Sequence, residues 1–444
     1  MLKPDPPRSH YPPASVAWVI WGLGAGFFLL GFFHRVAPAV LHRELSLDFG
    51  LSAATLGSLS ALYFYSYAAM QVPTGLLVDR LGPRRLLLGG LLVSTLGALI
   101  FAFAPDLIWA GIGRFLIGGS VSVAFVCTLK LATHWLPAHR FSMAIGLLLV
   151  AGVSGAVFAG VPLQFASGMF GWRAVTVAAA GVGLLLGLVV WLMVRDDPAE
   201  RNYDSYVNVH VQSGRWSAEW QKLTAVFGYR NTRLLAIAPG GIVGSVLTFA
   251  GLWGMPFLTD VYGLSPAAAA TLCSVLMLAM AFSGPLFALL SEKVARRRTP
   301  YLVSTVLALC SWAVALLVPD LPLWLLVSAL VSAGFFSGAM ILGFTQAKES
   351  VPLVLAGTVS GVVNMGVMCG PMLLQPLVGW LLDRFWRGMT GTDGLRVYHF
   401  DNYRVSFLLM LAWLAIAVVS IAFTRETRCE QMGSTDRLRQ PLER

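Results

Sequence analysis

The chain has 444 residues and a formal net charge of +10, yet only 12% of its residues are charged and 57% are hydrophobic. Soluble domains carry roughly a quarter charged residues, so most of this surface must be solvated by lipid. The basic residues lie in short loops between apolar stretches and not along one exposed face, which sets nucleic acid aside as a partner.

A membrane span needs about 20 predominantly apolar residues. Twelve such stretches are predicted in chain order, centred near residues 28, 65, 95, 120, 153, 184, 246, 278, 310, 335, 367 and 414. The fold class is therefore all-α and membrane-embedded, with twelve transmembrane helices in two six-helix bundles. Residues 1–15 form a polar, Pro-rich tail, 16–194 the first bundle, 195–232 a polar linker, 233–424 the second bundle and 425–444 a second tail. The first stretch has no clear small-residue cleavage site and is expected to insert uncleaved. Within the linker, Trp216, Trp220 and Leu223 recur at helical spacing, as a surface helix or as a solvated connection with turns.

Arg80, Arg84, Arg85, Arg140, Lys293, Arg296, Arg297 and Arg298 share one side if both termini are cytoplasmic, as the positive-inside rule favours. The loops near Asp106, Asp260 and Asp320 then face outward without Lys or Arg. The segment from Asp383 to Arg404 departs from the rule, carrying Arg384, Arg387, Arg396 and Arg404 on the outward side. The expected location is the plasma membrane, here a bacterial inner membrane. Cys127, Cys273, Cys310 and Cys369 fall within apolar spans and Cys429 in the tail, so no disulfide framework is implied.

The chain is internally duplicated. GLLVDRLGPRR from Gly75 to Arg85 returns 213 residues later as ALLSEKVARRR from Ala288 to Arg298. Asp79 aligns with Glu292, Arg80 with Lys293, Gly82 with Ala295, and Arg84 and Arg85 with Arg297 and Arg298. Related halves in one membrane point to a transporter whose site lies between the repeats near the bilayer midplane. The Asp79 carboxylate can meet a helix N-terminus or neighbouring arginines and so latch two spans reversibly. GLLVDRLGPRR resembles the loop motif between the second and third spans of the major facilitator superfamily, with Gly75, Asp79, Arg80, Gly82, Arg84 and Arg85 matching. GRFLIGG at Gly113 to Gly119 and GWR at Gly171 to Arg173 are similar to that superfamily too.

An ionisable side chain inside a bilayer costs a few kcal/mol or more, so each one is a functional hypothesis. Arg35 lies in the outward half of the first span and Arg114 at comparable depth in the fourth. Two guanidiniums facing one cavity would attract an anion, and arginine's planar fork suits carboxylate or phosphate. Lys130 is read as snorkelling to the cytoplasmic face. Lys348 and Glu349 are read as an interfacial pair, with Lys348 meeting a departing anion as the other reading. Pro371 and Pro376 bend the eleventh span, where Gln375 can take up a freed hydrogen-bonding position.

HRVAPAV followed by LSAATLGSLSALYFYSYAAMQVPTGLLVDRLG is similar to the organic anion:cation symporter branch, which includes sialin-like and sugar-acid transporters. That resemblance implies Arg35 as a carboxylate clamp, with Tyr67 and Asn364 as cavity hydrogen-bonders; Arg114 stands at a position that resembles a superfamily arginine with structural or coupling roles, direct contact with the anion being the other reading. It also implies two coupling carboxylates that this chain lacks: His34 and Val121 stand where Asp and Glu are common. His34 is read either as a proton carrier or as a histidine bonded in a helix contact.

The reading is a secondary active transporter, not an enzyme, that takes up a small organic anion by alternating access with protons. It would work as a monomer in the lipid bilayer, with no cofactor and no metal. Asp79 and its repeat serve as the gating motif. Export of an amphipathic or siderophore-like compound is the first alternative, although AGVSGAVFAG in the fifth span lacks the Gly-Pro run of drug:proton antiporters. A non-transporting receptor that keeps the fold is the second.

Overall fold

The computed structural model describes residues 11–206, 216–391 and 394–432. The expected tails at residues 1–10 and 433–444 and the linker stretch 207–215 lie outside the described residues. Among the described residues eleven helices are long and apolar enough to cross a bilayer, and a bent pair, His42–Phe49 with Ala53–Gln71, counted as one span is the twelfth. In chain order the spans are Ala14–Val40, Ala53–Gln71, Leu77–Ala102, Leu107–Trp135, Met143–Phe170, Trp172–Met193, Arg230–Asp260, Pro266–Val294, Arg298–Leu317, Leu323–Glu349, Leu353–Arg384 and Phe400–Ala422. The count and the two-bundle arrangement agree with the sequence. Twelve passes put the start of the first span and the end of the last on one membrane face, called here the terminal face; the other is the far face.

Local chemistry sets the ends. Asp106 Oδ1 accepts hydrogen bonds from the backbone N–H groups of Ile108 and Trp109 and starts the fourth span. Ser265 caps the eighth span ahead of Pro266 at its first position. The helical run Ala53–Ala102 breaks at Gly82, whose φ is 79°, near the start of the third span. Its repeat partner Ala295 ends the eighth span at φ 51°, so both copies turn through positive φ although only the first uses glycine. The linker forms a helix at Trp216–Val226, on which Trp220 is exposed while Leu223 is tucked against the second bundle.

Packing relies on small residues, as it must where lipid offers no hydrophobic drive. A side chain at Gly118 in the fourth span would place its Cβ 2.1 Å from the Tyr63 carbonyl oxygen. That approach sets the second and fourth spans against each other. Gly118→Val should therefore lower thermal stability in detergent, by roughly 1–3 kcal/mol for overpacking against backbone. An unchanged unfolding temperature would contradict the packing described.

Candidate functional site

The first span sets the geometry. Pro38 has no backbone N–H, so the carbonyl four residues earlier, that of His34, loses its helical partner. Arg114 Nη1 from the fourth span donates to that oxygen at 2.6 Å. The Tyr63 hydroxyl, from the second span, donates to the Gly31 carbonyl at 3.1 Å, one turn away. Three spans are thereby stitched together at one depth.

Both arginines converge on Tyr63. The Arg35 guanidinium lies 5.6 Å from its ring centre and the Arg114 guanidinium 5.2 Å. Arg35 also lies 4.2 Å from the Phe32 ring and 5.1 Å from that of Tyr67, and the two tyrosine rings stack at 6.1 Å. Arg35 is 4% exposed and Arg114 2%. Arg35 is thus packed in an aromatic box; the expectation of a guanidinium standing open to the pathway is not met. Among the described residues no carboxylate pairs with either arginine, and Nε of Arg35 and Nε and Nη2 of Arg114 are buried without partners. An isolated buried cation costs several kcal/mol. Cation–π contacts offset about 0.5–2 kcal/mol each, and no carboxylate among the described residues completes the balance.

His34 is buried, with its ring edge-on to Phe33. Together with Arg114, Phe101, Ile117 and Thr176 it lines a small cavity of about 20 Å³, room for one water. Tyr67 is buried in the box. Asn364 reaches across from the other bundle, its Nδ2 donating to Gln71 Oε1 at 2.8 Å. Gln375 does not bond a carbonyl freed by Pro371 or Pro376: its Nε2 donates across to the Leu247 carbonyl of the seventh span at 3.0 Å, and its backbone carbonyl accepts from Trp253 Nε1.

The gating motif is assembled differently from expectation. Asp79 pairs with Lys130 at 2.7 Å, and the same ammonium donates to the Val78 carbonyl. Lys130 is an ion-pair partner, because the fourth span ends beside the motif and a paired ammonium is better satisfied than a snorkelling one. Arg84 follows the Gly82 break, its N–H donating to Asp196 at 2.6 Å, and that carboxylate fills the space a side chain at Gly82 would need. Burial raises the Asp196 carboxyl above the usual carboxylate range, against the Arg84 N–H contact, which lowers it. Gly75, Arg80 and Arg85 lie exposed on the terminal face. In the second copy Glu292 and Lys293 are exposed, and the work shifts to Arg297. Its Nε and Nη2 donate to Glu349 at 3.0 and 2.9 Å, and Glu426 accepts from the N–H groups of Arg297 and Arg298. Glu349 therefore pairs with Arg297 and Thr427 instead of Lys348, since the tenth span brings it over the turn.

Sequence reasoning missed Tyr63, one helical turn before Tyr67, and Asp383. Asp383 ends the eleventh span at the far face and accepts from the N–H groups of Ala53 and Ala54 at 3.3 and 2.8 Å, the start of the second span. Arg396 and the Tyr398 hydroxyl donate to it as well, each at 2.8 Å. Its signal was present: GWLLDR at Gly379–Arg384 repeats the Gly-x-x-x-Asp-Arg spacing of GLLVDR at Gly75–Arg80. The basic loop that broke the charge rule is largely internally neutralised, since Asp401 faces Arg387 and Arg404 at 3.9 and 3.8 Å.

Twelve spans in two bundles, with paired cations buried among the first, second and fourth spans, have the architecture of a membrane transporter. The chain belongs to the Major Facilitator Superfamily, whose family profile matches residues 23–366 and again 241–433. It is 21% identical over 402 residues to the probable galactarate/D-glucarate transporter GudP of Escherichia coli K12, covering 82% of this chain and 86% of that one. A putative tartrate transporter of Agrobacterium vitis is 23% identical over 80% of this chain and 82% of its own. The fold is similar to the crystal structure of a bacterial homologue of the human lysosomal transporter Spinster, inward-facing and unoccupied, with TM-score 0.71, 21% identity and coverage of 93% and 97%.

Proposed function

We propose that the protein takes up a small organic carboxylate across a bacterial inner membrane, with both termini cytoplasmic, by alternating access between residues 16–194 and 233–424. The observation that carries this reading is the pair of buried guanidiniums on Tyr63 with no carboxylate among the described residues to neutralise them. Arg35 is the anion contact, Arg114 holds the first span in shape, and Tyr67 and Asn364 supply hydrogen bonds. The relatives' names, galactarate, D-glucarate and tartrate, support a carboxylate cargo. His34 is the candidate proton carrier: a proton gained beside Arg114 is best tolerated when the bound anion cancels its charge, which couples the two. The protein acts as a monomer in the bilayer, and Asp79, Arg84, Arg297 and Glu349 order the terminal-face ends of the spans.

Burial of Arg35 against helices favours a second reading, export of an amphipathic compound, in which the cation is structural. A counterflow screen in proteoliposomes at pH 5.5 and 7.5 separates the two. We expect saturable counterflow of tartrate or galactarate, faster at the lower pH, with the pH difference lost in His34→Ala. Counterflow of amphipathic compounds alone would replace uptake by export.

A further inference from the structure

We infer that Gln71, acting with Asn364, selects cargo by its hydroxyl groups; the inference rests on the carboxylate reading above. The second span presents Tyr63, Tyr67 and Gln71 four residues apart, so all three fall on one helix face. At 1.5 Å per residue, Gln71 stands about 6 Å beyond Tyr67 toward the terminal face. An anion whose carboxylate meets Arg35 beside the tyrosines lays its other end along this face, and a six-carbon acid reaches the level of Gln71.

There the two bundles share the Asn364 Nδ2 to Gln71 Oε1 bond at 2.8 Å, between half-buried side chains. A cargo passing this point must break it. A hydroxyl is donor and acceptor at once, so it accepts from Asn364 and donates to Gln71, replacing the bond it removes. A methylene does neither, and both amides lose their partner in a partly dehydrated site. The amide pair thus holds the place of a hydroxylated chain and discriminates against its deoxy counterpart. Because the bond also ties the bundles together, hydroxylated cargo keeps them linked while it is bound.

The test uses galactarate and adipate, six-carbon dicarboxylates alike in charge and length but different in hydroxyl content. In proteoliposome counterflow the native chain should favour galactarate by at least roughly tenfold in uptake efficiency. Gln71→Leu should bring that ratio near unity by weakening galactarate alone, and Asn364→Leu should bring the ratio to the same value. The double variant should go no further, because both changes remove one pair. A galactarate preference that survives in Gln71→Leu, or equal uptake of both acids by the native chain, overturns the selection role and leaves the carboxylate reading standing. Uptake of neither acid overturns both. A second measurement covers variants that fold poorly: with the five native cysteines replaced by serine, Gln71→Cys and Asn364→Cys should be bridged by a short bifunctional thiol reagent, and galactarate but not adipate should slow the reaction several-fold. Equal slowing by both acids also overturns the inference.

Discussion

Arg35→Gln should raise the KM for carboxylate uptake by about 10- to 100-fold while leaving yield and helicity near those of the native chain. The size follows from losing charge-assisted hydrogen bonds to the anion, each about 1.5–3 kcal/mol. The fold should survive because, among the described residues, Arg35 makes no ion pair and its guanidinium packs against Phe32, Tyr63 and Tyr67. Relieving an uncompensated buried charge could even stabilise the empty protein. Arg35→Lys should rescue little, since an ammonium lacks both the planar fork and the flat face that fits the aromatic box. Arg114→Gln should behave differently: the His34 carbonyl beneath Pro38 loses its donor, so stability should fall along with transport. The measurements are initial uptake rates in proteoliposomes and thermal unfolding of the same preparations. Unchanged uptake in Arg35→Gln would remove that residue from the binding site.

Asp383→Asn should loosen the far face. The carboxylate joins the bundles by accepting from the first two N–H groups of the second span, where a helix dipole favours negative charge. It also gathers Arg396 and Tyr398 from the following loop. Losing that charge should cost about 2 kcal/mol of far-closed stability, a shift of roughly thirtyfold between far-closed and far-open forms. Spin labels at Phe103→Cys in the first bundle and Leu323→Cys in the second, both exposed positions, report the separation. We expect a longer, broader distance distribution in Asp383→Asn than in its parent. Identical distributions would mean that the surrounding apolar contacts alone hold this face shut.

The spans and their duplication were legible because lipid permits so few alternatives: long apolar runs must cross, and a repeated charged loop between them must lie at one face. Arg35 and Arg114 were legible for the same reason, since charge is rare at that depth. Tyr63 was not, because aromatic residues are common in spans and nothing local distinguishes one that lies between two guanidiniums. The pairing of Asp79 with Lys130, and of Arg297 with Glu349, depends on where separate spans end relative to one another, which no single segment encodes. One piece of tertiary structure could have been read in advance. Pro38 stands four residues after His34, so a donor from elsewhere had to reach that oxygen, and Arg114 was the buried cation at the right depth.

That borrowed donor has a mechanical consequence. The helix bearing the anion contact cannot slide or straighten alone, because its missing rung is supplied by a neighbour that is itself seated on the Tyr63 backbone through Gly118. The amino-terminal lobe should consequently swing as one stiff body. The compliance needed for each turnover then falls to its counterpart, where two prolines interrupt the eleventh helix and a π-turn at Phe249–Trp253 interrupts the seventh.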